Sequence, residues 1–132
     1  MNSEDLNRNK ANDVVSRIIA IPQKFRQIGN VSVYSLLDQT GYFEIADNVS
    51  EVTIRDALVK CDECVLDWIQ YSEDKRTPSG WYVVRRDDGK YEVGWLAKEG
   101  RCEKRTNYED AIDAVASFIK REIESMRSIA NR

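Results

Sequence analysis

The chain has 132 residues, a formal net charge of −3, and 33% charged against 42% hydrophobic residues, a balance that suits one folded, well-solvated domain spanning 1–132. No apolar run approaches the roughly 18 residues of a membrane span, and Met1 to Lys10 is too polar for a secretory signal. The absence of histidine removes imidazole acid–base catalysis, Ser-His-Asp and Cys-His nucleophile pairs and most zinc sites, so the composition points away from an enzyme.

Residues 1–21 read as a helix, with Ser3 placed to cap it, Glu4 and Asp5 in the first turn, and Leu6, Val14, Val15, Ile18 and Ile19 as its apolar stripe. Pro22 to Ile28 reads as a second helix that starts on proline and stops at Gly29-Asn30. A third covers Ser32 to Gln39, with Val33, Leu36 and Leu37 inward and Gly41 as its stop; Tyr42 to Ala46 is expected to be loop or short extended chain. Ser50 caps a longer helical stretch ending by Lys75, in which Val52, Leu58, Cys61, Val65, Trp68 and Ile69 recur at three- and four-residue spacing. A break is expected near Cys61-Asp62, with Asp62 capping the second segment. Arg76 to Gly80 is a loop.

Beyond Gly80 the pattern turns from helical to alternating. Trp81 to Arg86 and Lys90 to Ala97 flank Asp87-Asp88-Gly89, a hairpin signal. A two-residue Asp88-Gly89 turn sets Arg86 against Tyr91, Arg85 against Glu92, Val84 against Val93 and Tyr82 against Trp95. Tyr82, Val84, Tyr91, Val93 and Trp95 then share one face. Lys98-Glu99-Gly100 is a second turn, and Arg101 to Arg105 a charged edge strand. Thr106 or Asn107 caps a final helix whose apolar positions are Tyr108, Ala111, Ile112, Val115, Phe118, Ile119, Ile123 and Met126. The expected fold is α+β: an N-terminal helical layer (1–75), a three-stranded antiparallel β-meander, and a C-terminal amphipathic helix packed on the sheet (76–132).

Three cysteines without a secretion signal suit a reducing, cytoplasmic setting. Cys61-Asp62-Glu63-Cys64 is formally CxxC, but its two intervening acids disfavour a thiolate, and three thiolates plus a carboxylate make an uncommon metal site. Cys61 and Cys64 are therefore read as small, half-buried hydrophobes one helical turn apart, and neither cofactor nor metal is expected.

The net charge conceals a polarised distribution: residues 38–75 hold 10 acidic and 3 basic side chains, whereas 76–132 hold 12 basic and 10 acidic. Asp56, Glu63, Asp67, Gln70 and Asp74 fall at helical spacing opposite the apolar face, flanked by Asp62 and Glu73. Such a stripe is either a solvated helix face or a docking surface for a basic partner. The candidate contact residues are Asp56, Asp62, Glu63, Asp67, Glu73 and Asp74, with Tyr71 as an aromatic anchor. No GxGxxG, GxxxxGK[ST] or GxSxG motif occurs. Helices followed by a hairpin also outline a winged-helix DNA-binding regulator using the 81–97 hairpin with Arg85 and Arg86. Its tip, Asp87-Asp88, would repel phosphates, and the helix entering the groove would come from the acidic block.

The run Gly80-Trp-Tyr-Val-Val-Arg-Arg-Asp-Asp-Gly-Lys-Tyr-Glu-Val-Gly-Trp95, then Lys98-Glu99-Gly100-Arg101, then Tyr108-Glu109-Asp110-Ala111 opening a helix, resembles the immunity proteins of bacterial toxin systems, including contact-dependent growth inhibition. In those a "dGkyeV-W" strand, a turn like "ERG" and a "Y/F-x-x-x-x-A" helix start recur; the turn here reads Lys-Glu-Gly. The resemblance covers about 78–125. It implies a cytosolic, non-catalytic inhibitor that binds one cognate toxin domain, many such toxins being nucleases with basic clefts. An acidic face suits that role. The matched residues look like scaffold, so the resemblance assigns no contact residue.

Overall fold

The computed structural model describes the backbone of residues 3–75 and 79–130 and the side chains of 6–75 and 79–130. The expected cap at Ser3, with Glu4 and Asp5, lies outside the described side chains, and Arg76 to Pro78 of the expected loop lie outside the described residues. The helices are α1 (Ser3–Ile19), α2 (Ile21–Ile28), α3 (Val33–Thr40), α4 (Tyr42–Ile45), a 3₁₀ turn (Ala46–Asn48), α5 (Glu51–Val59) and α6 (Asp62–Asp74). Strands β1 (Gly80–Arg85), β2 (Tyr91–Leu96) and β3 (Cys102–Tyr108) follow, then α7 (Ala111–Ala130). The fold is α+β, with an antiparallel sheet ordered β1-β2-β3 and α7 packed on it.

Four helices begin on a side chain that takes up a free backbone N–H of the first turn. Ser32 accepts from Ser35 and Ser50 from Thr53, Cys61 Sγ from Cys64, and an Asp110 carboxylate oxygen from Ile112. The cap of α6 is therefore Cys61 rather than Asp62. That of α7 is Asp110: Thr106 and Asn107, expected as caps, are still paired in β3. Gly41 ends α3 at φ +87°, the left-handed conformation that glycine adopts without steric cost. Tyr42 to Ile45 is helical rather than extended, because the chain turns there to drive Tyr42 fully into the core. In α5 the inward residues are Ile54 and Leu58, whereas Val52 is 64% exposed.

The sheet departs from the expected register by one residue. Arg85 pairs with Tyr91, Val83 with Val93 and Trp81 with Trp95. The loop holds three residues, since Arg86 N–H donates to Lys90 O and Gly89 N–H to Arg86 O, with Gly89 at φ +85°: a type I turn closed by a left-handed glycine. Ala97 to Arg101 repeats the arrangement around Gly100. One added loop residue inverts the faces of β1, so Val83 rather than Val84 enters the core and Trp81 rather than Tyr82 packs beside it. On β2, Val93 is fully buried with Tyr91 against the core. A bulge at Lys104 (φ +52°) shifts the β2–β3 register between Val93 and Trp95.

Helix α7 is more than an amphipathic cover. Every residue from Ala114 to Ile119 is buried, because the sheet covers one side and α5 and α6 the other. The buried hydrophobics from Ala11 of α1 to Ile123 of α7 form one cluster, with Trp68, Tyr71 and Phe118 in edge and tilted ring contacts at 5.2–6.2 Å. On the outer rim of β1, Val83 N–H donates to Ser72 Oγ at 2.9 Å and Lys75 Nζ to Trp81 O at 2.9 Å, so side chains of α6 and its C-cap residue satisfy backbone groups that a strand at a sheet edge leaves open.

Candidate functional site

Helix α6 carries Asp62, Glu63, Asp67, Glu73 and Asp74 and no basic residue. Its inward face is Cys64, Val65 and Trp68, and Trp68 Nε1–H donates to Ile19 O at 3.1 Å, fixing the helix against α1. Once that face is committed to the core, Asp62, Glu63, Leu66, Gln70, Glu73 and Asp74 are left exposed. Leu66, among the acids, is 67% exposed. The sequence pattern gave it no place on the apolar stripe, and its exposure follows from the buried set.

The remaining sequence candidates are placed differently. Asp67 is half-buried and forms a 2.9 Å ion pair with Arg26 of α2, so its charge is partly answered within the chain. Asp56 is exposed on α5, 3.8 Å from Arg55, and lines a groove between α1 and α5, apart from the exposed residues of α6. Tyr71 is half-buried, its hydroxyl donating to Glu122 Oε2 at 2.8 Å, and burial followed by the Glu122 charge pushes the phenol well above its usual range. Its ring forms a wall of an apolar cleft of about 400 Å³ between α2 and α6, with Pro22, Phe25, Arg26 and Lys75. The exposed anchor on this face is therefore Leu66, with Phe25 at the cleft.

Three buried polar clusters support the frame. Glu122 takes Tyr71 and Lys75, the latter at 2.8 Å. Tyr42, fully buried, donates to Glu124 Oε2 at 2.7 Å and accepts from Lys120 Nζ, which also reaches Val49 O at 2.7 Å; burial lowers Lys120 from the ordinary lysine range. On the sheet face away from α7, Glu92 is 2% exposed and accepts from Tyr82 and, through both Nε and Nη2, from Arg105. Burial pushes the Glu92 carboxyl up, but the Tyr82 hydroxyl and the Arg105 and Arg86 guanidiniums outweigh it and hold the group below the usual carboxylate range. Arg86, expected over Tyr91, is thus an ion-pair partner of Glu92 at 3.3 Å, the role foreseen for Arg85. Among the described residues, no buried side-chain nitrogen or oxygen lacks a partner.

Cys61 and Cys64 are joined by a disulfide, with Cα atoms 5.3 Å apart, instead of packing as two free hydrophobes. The capping geometry of α6 explains it. A cap residue and the third residue of its helix face one another, which is how a serine cap reaches that N–H, and here both positions are cysteine. Cys102 is free and exposed. Among the described residues no cluster of histidine, cysteine or carboxylates could hold a metal ion, and no helix is long and apolar enough to cross a membrane. Compared with protein-family models, curated proteins and solved structures, the chain matches none.

Proposed function

We propose that this chain is a non-catalytic immunity protein, which binds one cognate bacterial toxin domain in the cytoplasm and holds a basic, nuclease-type cleft closed with its α6 face. The observation that carries the reading is Leu66, 67% exposed on a helix with five acids and no base. An apolar anchor ringed by like charge suits a partner offering an apolar socket rimmed by lysine and arginine. The anchor supplies desolvated contact, and the ring speeds encounter and rejects acidic or neutral surfaces. The same carboxylates compete with a phosphate backbone for the partner's cations. The resemblance over 78–125 supports the class, that segment serving as the frame that holds α6. The winged-helix reading gains nothing from the hairpin, where Arg86 is occupied by Glu92 and the tip presents exposed Asp87 and Asp88.

The test is protection. Co-expressed with the toxin domain encoded beside it, the protein should restore growth and copurify at one-to-one stoichiometry, with an association rate that falls steeply with salt. Leu66→Glu combined with Glu63→Lys should keep the melting temperature and lose both protection and complex. A doubly substituted chain that still protects would move the interface away from α6; failure of the unsubstituted chain to protect or to bind would remove the immunity reading.

A further inference from the structure

We propose that Cys61–Cys64 is a reversible dithiol–disulfide site that exchanges with small, carboxylate-bearing thiols of the glutathione class, Cys61 being the sulfur attacked. The two sulfurs differ in access. Cys64 faces the core at 9% exposure, whereas Cys61 is half-buried at the break between α5 and α6. It opens on the α1–α5 groove of about 660 Å³, whose wall carries Arg8 and Lys60. Those cations suit an incoming thiol bearing carboxylates; Asp56, also on the wall, lies beside Arg55. Cys61 is also the cap of a 13-residue helix. The Cys64 N–H is directed at its sulfur at 3.2 Å, a donor for the negative charge that sulfur carries once released. Asp62 and Glu63 oppose that charge, but both are exposed and screened by water and salt.

In the reducing direction a glutathione thiolate attacks Cys61 Sγ. The Cys61–Cys64 bond breaks, a mixed disulfide forms on Cys61, and Cys64 departs as thiolate and takes a proton from water. A second thiolate then attacks the glutathione sulfur and releases the Cys61 thiolate and oxidised glutathione. Two electrons pass to the protein and two glutathione molecules are oxidised. The oxidising direction is the reverse. Opening the bridge removes the covalent staple across the first turn of α6 and leaves its cap to a single N–H···S contact.

The full chain carrying Cys102→Ser, which removes the exposed third thiol, is equilibrated across ratios of reduced to oxidised glutathione, quenched by alkylation and read by intact mass, with circular dichroism alongside. The expected result is a reversible two-thiol transition with the helical signal retained. With oxidised glutathione, the Cys64→Ser variant should form its adduct on Cys61 at least about tenfold faster than the Cys61→Ser variant forms one on Cys64. A bridge that opens only in denaturant, that fails to re-form, or whose two cysteines react equally or with Cys64 ahead would overturn the proposal. The titration of the intact pair decides reversibility even where a serine variant misfolds.

Discussion

Lys75→Met tests the account of the buried ion pair at the α6–α7 contact. Lys75 Nζ lies 2.8 Å from Glu122 Oε2, with the two side chains only 12% and 7% exposed, and it also donates to Trp81 O. Methionine keeps most of the apolar stem and removes the charge, so Glu122 is left nearly buried with the Tyr71 hydroxyl as its remaining side-chain donor. Removing one partner of a buried pair costs about 3–5 kcal/mol, and the retained stem places this change near about 3 kcal/mol. That corresponds to roughly 10 °C in melting temperature at about 3–4 °C per kcal/mol for a domain of this size. The decisive step is a second substitution. Glu122→Gln removes the carboxylate charge yet keeps an oxygen for Tyr71, so on the Lys75→Met background it should recover about 1–2 kcal/mol. On the unsubstituted background the ammonium keeps the amide oxygen and Trp81 O but loses its counter-charge, which should cost about 1–2 kcal/mol. Urea unfolding of the four chains at pH 7, with slopes compared, reads the cycle. A Glu122→Gln effect of the same sign in both backgrounds would refute the reasoning.

Val93→Asp places an unpaired carboxylate at a fully buried position and should abolish the cooperative melt; a native-like transition would contradict the register. Gly94→Ala builds a Cβ 2.6 Å from the Tyr82 hydroxyl oxygen, and should cost about 1–3 kcal/mol by urea unfolding as the ring is pushed off the sheet. Glu92 is held below the ordinary carboxylate range by Tyr82, Arg105 and Arg86 against its burial. Glu124 is held low by Arg127, again against burial, with help from Tyr42. With folded values below unfolded ones, their stabilisation is complete above about pH 4.3 and is lost as pH falls through the folded values. Stability should therefore be flat between about pH 7 and 5 and fall below about pH 4, the acid limb being shallower in Glu92→Gln; a steady decline from pH 7 would count against it.

The α+β layout was legible because its elements carry strong local signals: Ser50 as a cap, the glycine-terminated turns, and the apolar repeat of α7. The failures have physical causes. The hairpin was displaced because Asp87-Asp88-Gly89 supports either a two-residue turn or a type I turn plus left-handed glycine, and that choice alone decides whether Val83 or Val84 goes inside. Thr106 and Asn107 resembled helix caps, yet strand pairing to β2 held them and passed the role to Asp110. Tyr42 to Ile45 had no helical period to read in four residues, and its helicity serves the burial of one ring. At the site, spacing found the acids of α6 but not their surroundings. Arg26 comes from α2, forty-one residues from Asp67, and Glu122 draws Tyr71 inward from fifty-one residues away. The cysteine pairing is hidden in the sequence because Asp62 is as good a cap as any, and only a helix capped one residue earlier, on Cys61, turns the two sulfurs toward each other.

The covering of the β1 rim by Ser72 and Lys75 bears on how these molecules behave when crowded together. A bare rim is a template on which a second polypeptide can lay a strand, and here two of its backbone groups are already engaged by α6 and its C-cap residue. Growth of the sheet is thereby directed to β3, where Glu103, Lys104 and Arg105 line the strand with charge and the bulge twists it away from a flat partner. Solubility at high concentration is thus tied to the seating of α6. A chain in which that helix lifts exposes a strand and a greasy helix face at once, and it should lose its ability to refold cleanly before it loses its secondary structure.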